Sequence, residues 1–185
     1  MNDSSSRPAP PARSVVQYIW RAVPYALLVL VVYLMWAPRR SGPEQGSAAA
    51  TFDLPVLVGS RDRVRLDELR GQPVLIEVFA SWCSSCRSSV GTFRDVVHAR
   101  RERPMHFVAV SVDDSREAGS AAARTWDFGC DVAYDDGQFS RDYGIAVLPT
   151  LILLDADGRV HRVSAGAVGR NKLESWLTEV GAKRR

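Results

Sequence analysis

Two patterns of apolar residues divide the chain. Residues 22–37 (AVPYALLVLVVYLMWA) run for sixteen positions without a charge, about 24 Å of helix at ~1.5 Å per residue. Taken from Val15, with Arg21 extending to headgroup level, the stretch reaches the ~30 Å of a hydrocarbon core. Tyr18, Trp20 and Tyr25 near one end and Tyr33 and Trp36 near the other suit the membrane interfaces. Residues 15–37 are therefore expected to form one transmembrane helix. Pro38, Arg39 and Arg40 stand where a cleaved leader would carry small residues, which favours a retained anchor. Residues 1–14 (MNDSSSRPAPPARS) are too poor in apolar groups to order, and 38–50 (PRRSGPEQGSAAA) read as a flexible linker.

From residue 51 to 185 the pattern is that of one globular domain. Val74–Ala80 (VLIEVFA) is a buried strand, and a helix is expected from Cys83 to about Arg103, with Val90, Phe93, Val96 and Val97 on one side. His106–Val112 predicts a second strand and Glu117–Trp126 a second helix. Thr150–Leu154 and Val160–Ala165 predict two strands joined by the turn signal Asp155-Ala156-Asp157-Gly158. Asn171–Val180 closes the domain as an amphipathic helix carrying Leu173, Trp176, Leu177 and Val180 on one face. Ahead of all this, Phe52–Leu66 reads as short strands. Strands alternating with helices predict an α/β fold whose central strands are parallel.

Charge changes the picture once it is divided along the chain. The net +3 arises within residues 1–50, which carry five Arg against Asp3 and Glu44. The remainder holds 19 basic and 19 acidic side chains, so no basic stripe is left for a nucleic-acid backbone. Three arginines and the free amine precede the apolar span and Arg39 and Arg40 follow it, a bias that points to the N-terminus inside and the domain outside.

The candidate chemistry is Trp82-Cys83-Ser84-Ser85-Cys86, set between a buried strand and a helix. At a helix N-terminus the unpaired N–H groups and the dipole stabilise a thiolate. Cys83 is thus the expected nucleophile and Cys86, one turn further in, the resolving thiol. A C-x-x-C is also half of many zinc sites. The other ligands would have to come from Cys130, His98, His106 or His161, none of which has metal-ligand spacing, so no metal is expected. A peroxidase of related fold would carry Thr or Ser three residues before its reactive Cys, where this chain has Ala80. A copper carrier would space its cysteines by three residues, and a membrane-tethered binding or chaperone module with incidental thiols is the non-enzymatic alternative.

FDLPVLVGSRDRVRLDELRGQPVLIEVFASWCSSCR together with YGIAVLPTLILLDADGRV resembles the membrane-anchored TlpA/ResA-type thiol:disulfide oxidoreductases. The resemblance covers about Thr51 to Val180. It implies a thioredoxin-like fold, with a central mixed sheet flanked by helices and an N-terminal β-hairpin extension. It also implies a cis Pro149 beside the disulfide, with Leu148 and Thr150 in the segment that meets a substrate. The implied partners are protein disulfide substrates and a transmembrane electron donor, on the extracytoplasmic (periplasmic) side of the inner membrane. The only redox group implied is the Cys83–Cys86 pair, with no bound cofactor. Ser-Ser between the cysteines departs from the Gly-Pro of thioredoxin and leaves the direction of electron flow open, reductase or thiol oxidase. Gly91 stands where thioredoxin-like helices commonly have Pro, and Leu148-Pro149-Thr150 replaces the Gly-x-Pro-Glu pattern of the cytochrome c maturation branch.

Glu77 interrupts the strand six positions before Cys83. Charged residues are seldom buried without a partner or a role. Glu77 is expected to take the Cys86 proton as the mixed disulfide resolves, the alternative being a half-exposed Glu paired with a surface Arg. Trp82 is expected on the rim of the site. Arg87 reads equally as an electrostatic aid to the thiolate or a solvated helix residue, Cys130 as an inert small residue, and Asp113-Asp114 and Asp135-Asp136 as turns. His161 reads as structural.

Overall fold

The computed structural model describes residues 22–33 and 42–182. They fall into two units, one within Met1–Arg39 and one from Arg40 onward. In the first, residues 22–33 are helical (α1) and exposed along their length, including Tyr25, Leu28, Val29 and Tyr33. Among the described residues no helix is long and apolar enough to cross a membrane. The expected span 15–37 lies partly outside the described residues, and the tail 1–14 lies wholly outside them.

The second unit contains β1 (Asp53–Val58), β2 (Arg63–Arg65), α2 (Leu66–Leu69), β3 (Val74–Phe79), α3 (Ser84–Ala99), β4 (His106–Ser111) and α4 (Arg116–Trp126), followed by β5 (Asp131–Tyr134), α5 (Gln138–Asp142), β6 (Thr150–Leu154), β7 (Val160–Ala165) and α6 (Arg170–Ala182). The strands form one mixed sheet in the order β2-β1-β5-β4-β3-β6-β7. Strand β4 runs parallel to β3 and β5, and the other neighbours are antiparallel. The expected N-terminal hairpin is β1–β2, and it extends the sheet through β5.

Strand β3 is buried at all six positions, because β4 and β6 flank it and both sheet faces are covered. Alternation sends Leu75 and Phe79 to one face, against Phe93 and Val96 of α3 and Leu173 and Leu177 of α6. Ile76 and Val78 point to the other, against Leu66, Leu69, Phe139 and Tyr143. Each such side chain contributes about 1.5–3 kcal/mol when fully buried. The core therefore clamps the strand whose C-terminal end delivers the cysteines.

The structure differs from expectation at one helix end, in two added elements and ahead of the hairpin. Helix α3 ends at Ala99, not near Arg103, with the Arg100 N–H closing on Val96 and Val97 carbonyls; Pro104 disfavours helix at the residue before it. Asp131–Tyr134 is a strand and Gln138–Asp142 a short helix, neither of them expected. Residues 42–50, expected to be flexible linker, are bonded to the domain. Gly46 N–H donates to Val160 O at 2.7 Å, Val160 N–H to Ser47 O at 2.9 Å, Ala49 N–H to Gly158 O at 3.0 Å and Gly42 N–H to Gly144 O at 3.0 Å. The Tyr143 hydroxyl donates to Ala50 O at 2.7 Å.

Candidate active site

The apolar run of β3 stops at Ala80, and a short turn carries the chain into α3. Cys83 N–H donates to Ala80 O at 3.1 Å. Ahead of it, Ser81 N–H and Oγ donate to the Asp113 carboxylate at 2.9 and 2.6 Å, which also accepts from Ser111 Oγ at 2.8 Å. Asp113, a turn residue by its sequence, is buried and ties the loop before the cysteines to the end of β4. Asp135 is likewise buried and caps α5, accepting from the N–H groups of Gly137, Phe139 and Ser140 at 2.9 Å each.

Cys83 is the N-cap of α3, in extended backbone conformation, and its Sγ accepts from Cys86 N–H at 3.1 Å. The two sulfurs are joined as a disulfide across the first helical turn, with Cα atoms 5.2 Å apart. Cys83 retains 6% exposure and Cys86 none, so an incoming group reaches Cys83 first. The N-cap position, with an N–H aimed at Sγ, favours negative charge there once the bond is reduced.

Leu148–Pro149 is a cis peptide, and Ser85 brings it to the disulfide. Ser85 Oγ lies 3.3 Å from Cys83 Sγ and donates to Leu148 O at 3.3 Å. Trp82, 70% exposed, and Val147, 40% exposed, give this end an apolar rim. Thr150 departs from its expected place in the substrate-facing segment. It is fully buried, and its hydroxyl donates to Val147 O at 2.6 Å; it shapes the loop from beneath and cannot touch a substrate.

Glu77 is 1% exposed, which removes the surface-pair alternative. On the same face of β3 as Leu75 and Phe79, it looks toward α3, where Ser89 Oγ lies 3.0 Å from its Oε1. Oε2 has no hydrogen-bond partner among the described residues. Burial pushes the carboxyl up to about 7, against the smaller opposing pull of the Ser89 hydroxyl. Cys130, half-buried, is held as a thiol chiefly by burial, with the charge of Asp131 and that of Glu77 when ionised adding to it. Arg87 is exposed on α3.

Ser85, Ser89 and Asp113 were not expected in the site. The signal for Ser89 was its place three residues after Cys86, one turn along the same helix face. A cavity of about 510 Å³ lined by Arg61, His106, Cys130 and Asp131 lies where β4 begins. Parallel β3 delivers the cysteines at the opposite end, so this cavity is remote from the disulfide.

The chain is similar to known proteins. A thiol-disulfide oxidoreductase ResA of Oceanobacillus iheyensis is 26% identical over 138 residues, covering 73% of this chain and 72% of its own. A thiol:disulfide interchange protein DsbE of Pseudomonas fluorescens is 26% identical over 173 residues, 87% of this chain and 90% of its own. A crystal structure described as a DsbE-type interchange protein from Chlorobium tepidum matches with a TM-score of 0.68 at 27% identity, over 74% of this chain and 97% of that one. The thioredoxin-like fold implied by the sequence is thus the fold observed. With residues 45–163, the hairpin extension through β7, matching its family model, the chain belongs to the AhpC/TSA family.

Proposed function

We propose that this chain is a thiol:disulfide oxidoreductase, tethered to the inner membrane through residues 15–37, that reduces disulfides of envelope proteins on the extracytoplasmic side. The observation that carries the reading is the closed Cys83–Cys86 pair at the start of α3, linked through Ser85 to the cis-proline segment. Relatives named as a thiol-disulfide oxidoreductase and a thiol:disulfide interchange protein support it.

In the reduced enzyme the Cys83 thiolate attacks one sulfur of a substrate disulfide, forming a mixed disulfide and releasing the first substrate thiolate. Trp82, Leu148 and the backbone beside Pro149 are the groups against which the substrate segment lies. Glu77 takes the Cys86 proton, and the Cys86 thiolate attacks Cys83 Sγ. The second substrate thiolate leaves, the ring closes, and two electrons have passed to the substrate. A transmembrane electron donor restores the dithiol. A tether raises the effective concentration of enzyme at such a donor.

A second reading, donation of disulfides to substrates, draws on the Cys86 N–H that donates to Cys83 Sγ and on the Ser85 hydroxyl, whose one hydrogen goes to Leu148 O in the oxidised chain and turns to Cys83 Sγ once that atom is a thiolate. Stabilising the reduced thiolate makes the disulfide more oxidising. Equilibration in graded thiol/disulfide buffers separates the two: a potential near ~−270 mV supports the reductase and one near ~−120 mV the oxidase. The shared chemistry is tested by Cys86→Ala, which is expected to accumulate mixed disulfides with substrate through Cys83, while Cys83→Ala accumulates none. Equal trapping by both variants overturns the assignment of nucleophile.

A further inference from the structure

Ser89 has one hydroxyl hydrogen and two acceptors. Its Oγ lies 3.0 Å from Glu77 Oε1 and 3.0 Å from the Cys86 carbonyl oxygen, and a hydroxyl donates to one acceptor at a time. With Glu77 ionised, one of these two contacts has no hydrogen. With a proton on Oε1, the carboxyl donates to Ser89 Oγ and Ser89 donates to Cys86 O, so both contacts are filled. The partnerless Oε2 is also far less costly to bury as part of a neutral acid than as part of a carboxylate.

We infer that Ser89 is the positioning residue of Glu77, its hydroxyl turning between the Cys86 carbonyl when Glu77 is protonated and Glu77 Oε1 when it is ionised. This rests on the assignment of Glu77 as acceptor of the Cys86 proton. The closed disulfide is the product of that step: the Cys86 S–H bond has broken, the Cys83–Cys86 bond has formed, and the proton resides on Glu77. That is the protonation state in which the Glu77–Ser89–Cys86 chain carries a hydrogen at every link. Reduction reverses it, returning the proton to Cys86 and turning the Ser89 hydroxyl to the carboxylate.

The surroundings leave Ser89 as the group that responds. Opposite Glu77, β4 presents Ala109 and β6 presents Leu151, neither ionisable. Helix α3 presents Cys86 besides Ser89, and the segment before β5 presents Cys130, which burial holds as a thiol.

The test follows ring closure against pH. Reduced full-length enzyme is mixed with Ellman's reagent; attack by Cys83 releases one thionitrobenzoate and resolution by Cys86 the second, whose rate is read from about pH 5 to about pH 9. Hydrogen bonds to charged groups are stronger than those between neutral ones, so Ser89→Ala weakens the carboxylate more than the acid. Its inflection should move up by about one pH unit, a roughly tenfold change in the ionisation constant. Glu77→Gln should abolish the inflection near 7 and leave the alkaline rise that ionisation of the Cys86 thiol gives by itself, and Ser89→Ala added to it should change nothing further. An inflection near 7 that survives Glu77→Gln overturns the Glu77 assignment. An inflection lost in Glu77→Gln yet unmoved by Ser89→Ala, or a Ser89→Ala effect that persists without Glu77, overturns the role of Ser89 alone.

Discussion

Replacing Glu77 by Gln is expected to stabilise the oxidised protein, and only in neutral and alkaline solution. Burial raises the carboxyl from its ordinary 4.5 to about 7 in the folded chain. An acid that holds its proton more tightly when folded subtracts nothing from stability below pH 4.5, where both states are protonated. It subtracts progressively as pH rises toward 7, and by a constant amount above it. At ~1.4 kcal/mol per pH unit, the interval from 4.5 to about 7 amounts to about 3 kcal/mol. Glutamine keeps the size and an acceptor for Ser89 but has no charge to bury. Urea unfolding of the two oxidised full-length chains, with the disulfide intact so that neither cysteine titrates, measures the difference. From about pH 4 to about pH 8 the wild type should lose roughly 3 kcal/mol relative to Glu77→Gln, a midpoint change of about 1–3 M. His106, held low by burial and by Arg61, titrates alike in both and cancels. Parallel stability curves would refute the reasoning, because a Glu77 that ionises in place without loss would need a partner for Oε2 that the described residues do not supply.

Three further outcomes can be checked. Ser85→Ala removes the hydroxyl 3.3 Å from Cys83 Sγ; it should make the dithiol a stronger reductant by on the order of tenfold in equilibrium constant, ~30 mV, in thiol/disulfide buffers. Gly91→Ala places a methyl where nothing lies within 4 Å, in the middle of α3, and should raise stability by about 1 kcal/mol in urea titrations, with ring closure unaffected. Cys130 should resist iodoacetamide in the folded oxidised chain and react fully in denaturant, because burial holds it as a thiol; rapid labelling of the folded chain would contradict this, with mass spectrometry as the readout.

The parts of the fold legible in the sequence were those with a long enough local signal. VLIEVFA followed by C-x-x-C announces a strand that ends at a helix, and the DADG turn between two apolar runs announces β6 and β7. Strand β5 is four residues long and opens on Asp131; it is a strand because β4 and β1 pair with it from either side, partners distant in sequence. Helix α5 has five residues and depends on the buried carboxylate of Asp135. In the site, Cys83, Cys86, Glu77 and the proline stood out because each residue type is chemically unusual in its setting. Ser85 and Ser89 did not, since a serine on a helix is usually a solvated one and only the neighbouring strand and loop give these two their partners. Thr150 was misplaced because proximity to Pro149 in sequence says nothing of which side of the sheet its hydroxyl faces.

The nine residues ahead of Thr51 decide where this domain can be cut and moved. Composition puts the border at residue 51, yet a fragment started there would leave the Tyr143 hydroxyl without its 2.7 Å acceptor, Ala50 O. It would also strip Val160 of both main-chain partners in the strap, Gly46 and Ser47, and open the mouth of the β7 edge to pairing with a second molecule. The transplantable redox unit therefore begins at Gly42. A grafted anchor should be spliced before that glycine, and a domain trimmed at residue 51 should be the form that self-associates on storage.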